Sequence, residues 1–383
     1  MMNQKISKEE YNGKKVILIV FGTRPEIIKL FILHRILKES EEFYPILFNT
    51  AQQKISSDIL QHLNIDVDIL GNTLPDRSPD LNQFISHLIN DFNEKFNSPN
   101  SIIDKKDIAG VIVQGDTASA YTGAIWAFMN QIPVFHVEAG LRTHDQNNPF
   151  PEEFFRESIA RTSALNFCPS HISYENLIKE GISPKKNYIV GNTINDAIIH
   201  LMDNKKIKET NQTNYILSTL HRRENWNHVT EYAKILYNVL SNDIRDKNLL
   251  HIIHPNPLVK EGFSKVFKKY IPENLIIKEP IHDYFEMLGI VKNSNIILTD
   301  SGGLQEESLF FKIPCGIMRK VTERPEVLQR NAKLLPFEKN KVREFLLESD
   351  KYKINDSTQY DFTYGDGTTS YQIYEILKRF FRV

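Results

Sequence analysis

"KVILIVFGTRPEIIKL" (residues 15–30) is the stretch on which the fold turns. Every residue from Val16 to Phe21 is apolar, and β-branched residues are frequent. Such a run suits a strand covered on both faces, as in a parallel sheet. Gly22 then permits a tight turn and Thr23 can cap a helix. Arg24 and Lys29 supply cationic donors beside that helix start, and a helix N-terminus with an arginine is a ready anion site. The plainer reading of the same residues is a capped turn with surface charges.

The rhythm recurs. Apolar runs at 44–50, 110–115, 133–139, 165–170 and 188–192 are each followed by a longer helical pattern, giving βαβ units. A polar stretch, "DNKKIKETNQTN" (203–214), reads as a linker. After it the rhythm restarts at 215–221, 249–255, 275–280, 295–300 and 314–319. The expected fold class is α/β, with two doubly wound domains and an interdomain cleft. The first domain spans 1–204 and is completed by the amphipathic helix 370–383. The second spans 205–369. In such sheets ligands bind beyond the carboxyl ends of the strands. The stretch 71–82 reads as an exposed loop before a helix.

Composition agrees with this. A chain of 383 residues, 41% hydrophobic and 25% charged, suits a soluble globular protein of about two domains. A formal net charge of -1 gives no general attraction to nucleic acid or an anionic membrane. Cys168 and Cys315 lie far apart in apolar surroundings and read as buried free thiols. The N-terminus lacks the apolar core of a signal peptide, and no apolar run approaches the length of a membrane span. The expectation is a cytoplasmic protein.

The chemistry-bearing residues stand where the apolar strands stop. "FHVEAGLRTHDQNNPFPEEFFR" (135–156) gathers acids, arginines and histidines at the end of one of them. Glu138 sits at the strand end, Gly140 lets the chain turn, and Arg142 is a candidate ligand or orienting group. "PFPEEFFR" opens a helix, with Pro151 in the first turn. Glu152 and Glu153 stand at the positive end of its dipole. For Glu153 only that ordinary role is read. His136, two residues before Glu138 and so on the same strand face, reads as a hydrogen-bonded core residue. In "VQGDTASA" (113–120) Asp116 is either a functional carboxylate or an ordinary N-cap. Trp126 and Phe128, on the helix that follows, read as core.

In the second half, His221 in "TLHRREN" (219–225) lies at a strand end with arginines behind it, able to hold phosphate and carry a proton. His254 and Asn256 follow the next strand. "LTDSGGLQEES" (298–308) is the most specific nucleotide signal. Ser301, Gly302 and Gly303 make a turn into a helix whose N–H groups can meet a pyrophosphate, and Glu307 can accept bonds from ribose hydroxyls. The pattern is neither the dinucleotide-binding glycine motif nor a P-loop. Arg324 and Arg319 stand nearby as a second clamp or as structural ion pairs. "HDYFEMLG" (282–289) either covers a uracil or simply packs as helix.

Together these motifs resemble one family, the non-hydrolysing UDP-N-acetylglucosamine 2-epimerases. The series runs from "GTRPEIIKL" through "GDT", "HVEAGLRT", "PFPEEFFR", "GNTINDA", "HRREN", "HPNP" and "DSGGLQEE" to "TERPE" and "YGDG" (364–367). The resemblance implies two Rossmann-like domains of the glycosyltransferase-B type. It implies reversible inversion at C2 of a UDP-sugar through a 2-acetamidoglucal, in bacteria a step toward surface-polysaccharide precursors. Arg24, His221 and the turn Ser301–Gly303 match the contacts to UDP phosphates, and Glu307 matches the ribose ligand. Asp116, Glu138 and Glu152 match the carboxylates of proton transfer; Lys29, Arg142 and Arg156 match other cleft residues. The scheme requires no metal and no nicotinamide, and the resemblance implies a homodimer.

This chain departs from the pattern after the second strand. "TAQQK" (50–54) keeps Gln52 but lacks the longer basic pattern, which argues against activation by a second substrate molecule. The substrate alternatives are UDP-N-acetylglucosamine and a UDP-2,3-diacetamido-uronic acid. The rival activities are a hydrolysing epimerase, a glycosyltransferase of the same fold and an inactive UDP-sugar sensor. "GTRPE" favours the non-hydrolysing branch. The three carboxylates argue against a glycosyltransferase, and with His221 they argue against a sensor.

Overall fold

The computed structural model describes residues 6–55, 57–72, 80–99, 101–208, 214–268 and 270–383. Residues 73–79 of the expected loop and 209–213 of the expected linker lie outside them. The chain divides into two compact units, Met1–Ile199 with Gly365–Val383, and His200–Tyr364.

The first unit is built on β1 (Lys15–Phe21), β2 (Phe43–Asn49), β3 (Ile69–Leu70), β4 (Ile108–Gln114), β5 (Val134–Val137), β6 (Leu165–Cys168) and β7 (Asn187–Ile189). All pair in parallel, in the order β3-β2-β1-β4-β5-β6-β7. β1 is central, and Val16 to Phe21 are all buried, as expected of a strand with helices on both faces. The order reverses between β1 and β4. That is the topological switch point, where helices leave toward opposite faces and open a crevice at the carboxyl edge. The turns carrying Arg24 and Asp116 flank it.

The second unit repeats this plan with β8 (Tyr215–Thr219), β9 (Asn248–Ile252), β10 (Leu275–Lys278), β11 (Ser294–Thr299), β12 (Cys315–Ile317) and β13 (Ala332–Leu334). Its order is β10-β9-β8-β11-β12-β13, again all parallel. The switch point falls between β8 and β11, flanked by His221 and by the Ser301–Gly303 turn.

β3 and β13, two and three residues long, are not among the expected strands. Trp126 is buried against Phe92, with ring centroids 5.2 Å apart. Phe128, read as core, is instead 52% exposed. Two residues turn a helix by about 200°, so Trp126 and Phe128 cannot both face the core. Cys168 and Cys315 are buried and free. Among the described residues no helix is long and apolar enough to cross a membrane.

The C-terminal helix Thr369–Phe381 belongs to the first unit. Asp196 accepts from the amides of Thr369 and Ser370 at 3.2 and 2.6 Å, capping that helix from a buried position. Glu42 pairs with Lys378 at 2.8 Å and accepts from Tyr374 at 2.9 Å. Asp196→Ala leaves two buried amides without their acceptor. It is expected to lower the unfolding free energy by about 2 kcal/mol, read from urea unfolding. An unchanged midpoint would show that the cap does not anchor the helix.

Candidate active site

β5 stops at Val137, and Glu138 takes a left-handed backbone, φ 68°. A non-glycine residue there costs about 1–2 kcal/mol, so the surroundings must hold it. One carboxylate oxygen gathers three of these partners. Glu138 Oε2 pairs with the Lys29 ammonium and accepts from Gln114 Nε2 at 2.8 Å and Asn192 Nδ2 at 3.4 Å. Glu138 and Lys29 are 7% and 6% exposed. The four residues come from β4, from the helix Arg24–Glu39, and from the segments that follow β5 and β7. Because the strand has already ended, strand alternation does not place Glu138 with His136. His136 is wholly buried and donates from Nε2 to the Gly115 carbonyl at 2.8 Å. Burial pulls its pKa down to about 4, so it is a neutral core residue at pH 7. At Gly140, φ 86°, a Cβ would lie 2.1 Å from the Ser173 carbonyl oxygen, so the turn requires glycine.

Asp116 is not the helix cap; Thr117 is, accepting from the Ala120 amide at 3.0 Å. The Asp116 carboxylate is gripped by Arg156 through Nε at 2.7 Å and Nη2 at 2.6 Å. Arg156, 3% exposed, reaches Glu153 with its remaining nitrogen at 2.6 Å. Glu153 is fully buried, which corrects its reading as an ordinary first-turn acid. Its other oxygen accepts from the amides of Thr143 and His144, each at 2.8 Å. One carboxylate thus pins the loop after Glu138 and aligns the arginine that holds Asp116. Nothing in the charge pattern separated Glu153 from Glu152, because the difference is which helix face is buried. Glu152 begins the helix and is half-buried, and Pro151 stands at the N-cap, one position before the first turn. Arg142 turns inward, giving Nε and Nη2 to Glu180 at 2.7 and 3.0 Å and Nη1 to the Leu141 carbonyl at 2.7 Å.

Arg24 opens its helix and is half-buried. Two residues on, Glu26 is almost wholly buried. Burial pushes its pKa up to about 7, against the opposing pull of bonds from Thr117, Gly22 and Thr23.

In the second unit Asp300, fully buried at the end of β11, anchors the turn after β8. It accepts from the amides of His221 at 3.0 Å and Arg222 at 2.9 Å, and from Asn225 Nδ2 at 3.0 Å. The His221 ring nitrogen Nδ1 lies 3.1 Å from the same carboxylate. Burial alone would raise the Asp300 pKa, but His221 and the surrounding donors outweigh it and hold the group well below the usual carboxylate range. A permanent anion therefore orients the His221 ring. His254 faces that ring at 6.5 Å, and its pKa is lowered by burial and then by His221. Asn256 uses its oxygen to cap the helix Pro257–Phe267, accepting from Leu258 at 2.9 Å.

Ser301 caps the helix Gly302–Phe310. A Cβ on Gly302 would lie 2.7 Å from Arg324 Nη1, so this glycine makes room for a guanidinium. Arg324 pairs with Glu306 at 2.7 Å and with Glu323. Glu323, 1% exposed, also meets Arg319 at 2.9 Å and Arg222 at 3.6 Å. Beyond Gly303 a Cβ would approach only Ser301 Oγ, at 3.9 Å. Glu307 is buried and accepts from the Tyr284 hydroxyl at 2.9 Å. Tyr284 and Phe285 of "HDYFEMLG" are buried helix residues.

A family model described as UDP-N-acetylglucosamine 2-epimerase matches residues 35–378. The chain belongs to that family. A UDP-N-acetylglucosamine 2-epimerase from Methanocaldococcus jannaschii is 33% identical over 381 residues, covering 94% of this chain and 98% of the relative. Among solved structures, S. aureus MnaA with UDP is 30% identical with a TM-score of 0.82, covering 96% of this chain and 97% of that one. The Neisseria meningitidis UDP-GlcNAc 2-epimerase bound to UDP-GlcNAc is 28% identical with a TM-score of 0.83, covering 95% of this chain and 100% of that one. The epimerase family therefore supplies the enzyme class, and the fold is the two-domain Rossmann-like one.

The raised pKa of Glu26 has a thermodynamic sign. Its stabilising contribution is complete below the unfolded value of 4.5 and is lost as pH rises through about 7. Glu26→Gln removes the titration. Between pH 5 and pH 8 the native chain is expected to lose on the order of 2–3 kcal/mol more stability than the variant. Urea unfolding at both pH values measures this, and parallel pH profiles would refute it.

Proposed function

We propose that this epimerase interconverts UDP-N-acetylglucosamine and UDP-N-acetylmannosamine by eliminating UDP and adding it back. The observation that carries the reading is Glu138, a carboxylate kept in a strained left-handed turn by Lys29, Gln114 and Asn192. Strain of this kind persists where the surroundings over-determine it, and it gathers at working sites.

The C2 proton of an acetamido sugar is weakly acidic, so its removal must be coupled to loss of the C1 substituent. A carboxylate takes the proton from C2 as the electron pair forms the C1–C2 double bond and the C1–O bond to UDP breaks. The products are 2-acetamidoglucal and UDP. Return of a proton to the other face of C2, with attack of the UDP oxygen on C1, gives the epimer. Acid and base groups are needed on both faces, together with a cationic clamp on the leaving diphosphate.

Asp116, Glu138 and Glu152 are the proton-transfer set in this reading. Arg156 orients Asp116, and Lys29 does the same for Glu138. Arg24, His221 and the Ser301–Gly303 turn bind the diphosphate, with His221 held in place by Asp300. Glu307 binds the ribose. Arg324 sets the charge behind the turn, and His254 and Asn256 shape the strand end beside His221. Arg142, bonded to Glu180, supports the loop that follows Glu138.

Incubation with UDP-N-acetylglucosamine in deuterated water tests the reading by proton NMR. Both epimers are expected, with deuterium at C2. Free N-acetylmannosamine and UDP accumulating without return would establish a hydrolysing enzyme instead. Exchange seen only with a UDP-2,3-diacetamido-uronic acid would reassign the substrate.

A further inference from the structure

Glu26 lies in a motif whose arginine has an evident use, while the glutamate itself touches no exposed edge. Its two oxygens face two different turns. Oε2 accepts from the amides of Gly22 and Thr23, at 3.0 and 2.7 Å, on the turn after β1. Oε1 accepts from the Thr117 hydroxyl at 2.6 Å, on the turn after β4. That hydroxyl oxygen also caps the helix Ala118–Met129, accepting from Ala120 at 3.0 Å. Asp116 immediately precedes Thr117.

The two turns are pressed together around this bridge. A Cβ on Gly22 would lie 2.1 Å from Ser119 Oγ and 2.2 Å from Thr50 Oγ1. Gln52 Oε1 accepts from the Ser119 amide at 3.0 Å and its hydroxyl at 2.6 Å. Side chains from three segments thus fix the start of the helix that begins two residues after Asp116. Arg156 holds the far end of Asp116, its carboxylate, while Thr117 holds its backbone.

We propose that Glu26 is a positioning residue for Asp116, acting through Thr117 and tying the turn that carries Arg24 to the turn that carries the carboxylate. A bridge of this kind keeps the carboxylate at a fixed distance from the arginine's turn. An ordinary capping box would need only the Oε2 contacts. The bond to Thr117 reaches across the switch point of the sheet, and it is the part that this inference explains.

The inference rests on the C2-epimerase reading for its kinetic test, so the native enzyme is assayed alongside. Absence of C2 exchange in the native chain would count against that reading, while the bridge would still be read by amide hydrogen exchange. Glu26→Ala and Thr117→Val are expected to lower kcat on the order of 10²-fold, the scale of a small misplacement at a reacting centre. UDP affinity by calorimetry and KM should change little. Thr117→Ser keeps both the hydroxyl and the cap and should retain most of the rate. If Glu26→Ala fails to fold, the Thr117 pair carries the kinetic comparison. Amide exchange across residues 115–120 should quicken in Glu26→Ala or Thr117→Val but not in Thr117→Ser. The inference is overturned by an unchanged kcat in the folded variants, by a loss confined to KM, or by unchanged exchange in that turn.

Discussion

The buried pair of Lys29 and Glu138 is the constraint around which the first unit is arranged. Two charges taken out of water repay their desolvation only with close approach and with further donors on the remaining lone pairs. Gln114 and Asn192 provide those donors. To bring the four together, the chain must end β5 at Val137, turn Glu138 left-handed and aim a lysine down from the helix Arg24–Glu39. The parallel sheet makes this possible, because all its strands deliver their carboxyl ends to one edge. Removing either ionic partner would leave a buried charge, which is far costlier than the backbone strain it offsets.

A second layer of ion pairs fixes the neighbouring acids. Asp116 is held by Arg156, Arg156 by Glu153, and Glu153 by two loop amides. Each member is polar, and each finds its partner inside the protein. The second unit solves a related problem with opposite sign. There a single buried glutamate, Glu323, gathers three arginines behind a glycine turn, and Asp300 orients a histidine beside it. Glu306 and Glu224 take up further bonds of Arg324 and Arg222, so the three guanidinium groups lie in a network of ion pairs.

Much of this was legible in the sequence. The continuous apolar runs announced eleven strands, since a strand buried on both faces has no reason to carry polar residues. β3 and β13 escaped notice because two or three residues at a sheet edge make too short a run to show a period. The strand-end motifs marked most of the polar residues that the structure brings to the two switch points. The pairings among them were not legible. Which residue caps the helix after β4 depends on a one-residue shift, Thr117 rather than Asp116. Whether Glu153 is buried depends on the rotation of its helix, and the same blindness misplaced Phe128. Glu26 and Asp300 carry no local sign of the long-range bonds they make. Their partners lie 91 and 79 residues away, at distances no local pattern can show.

The central claim is that Glu138 is a carboxylate held for proton transfer at C2. The rate of deuterium entry at C2 of UDP-N-acetylglucosamine in Glu138→Gln, measured together with UDP affinity, tests it most directly. The amide keeps an acceptor for Lys29 while losing basicity. The account predicts a fall in exchange on the order of 10²–10⁴-fold with UDP binding retained. Exchange near the native rate, or loss of UDP binding in step with exchange, would contradict it and make Glu138 a structural residue.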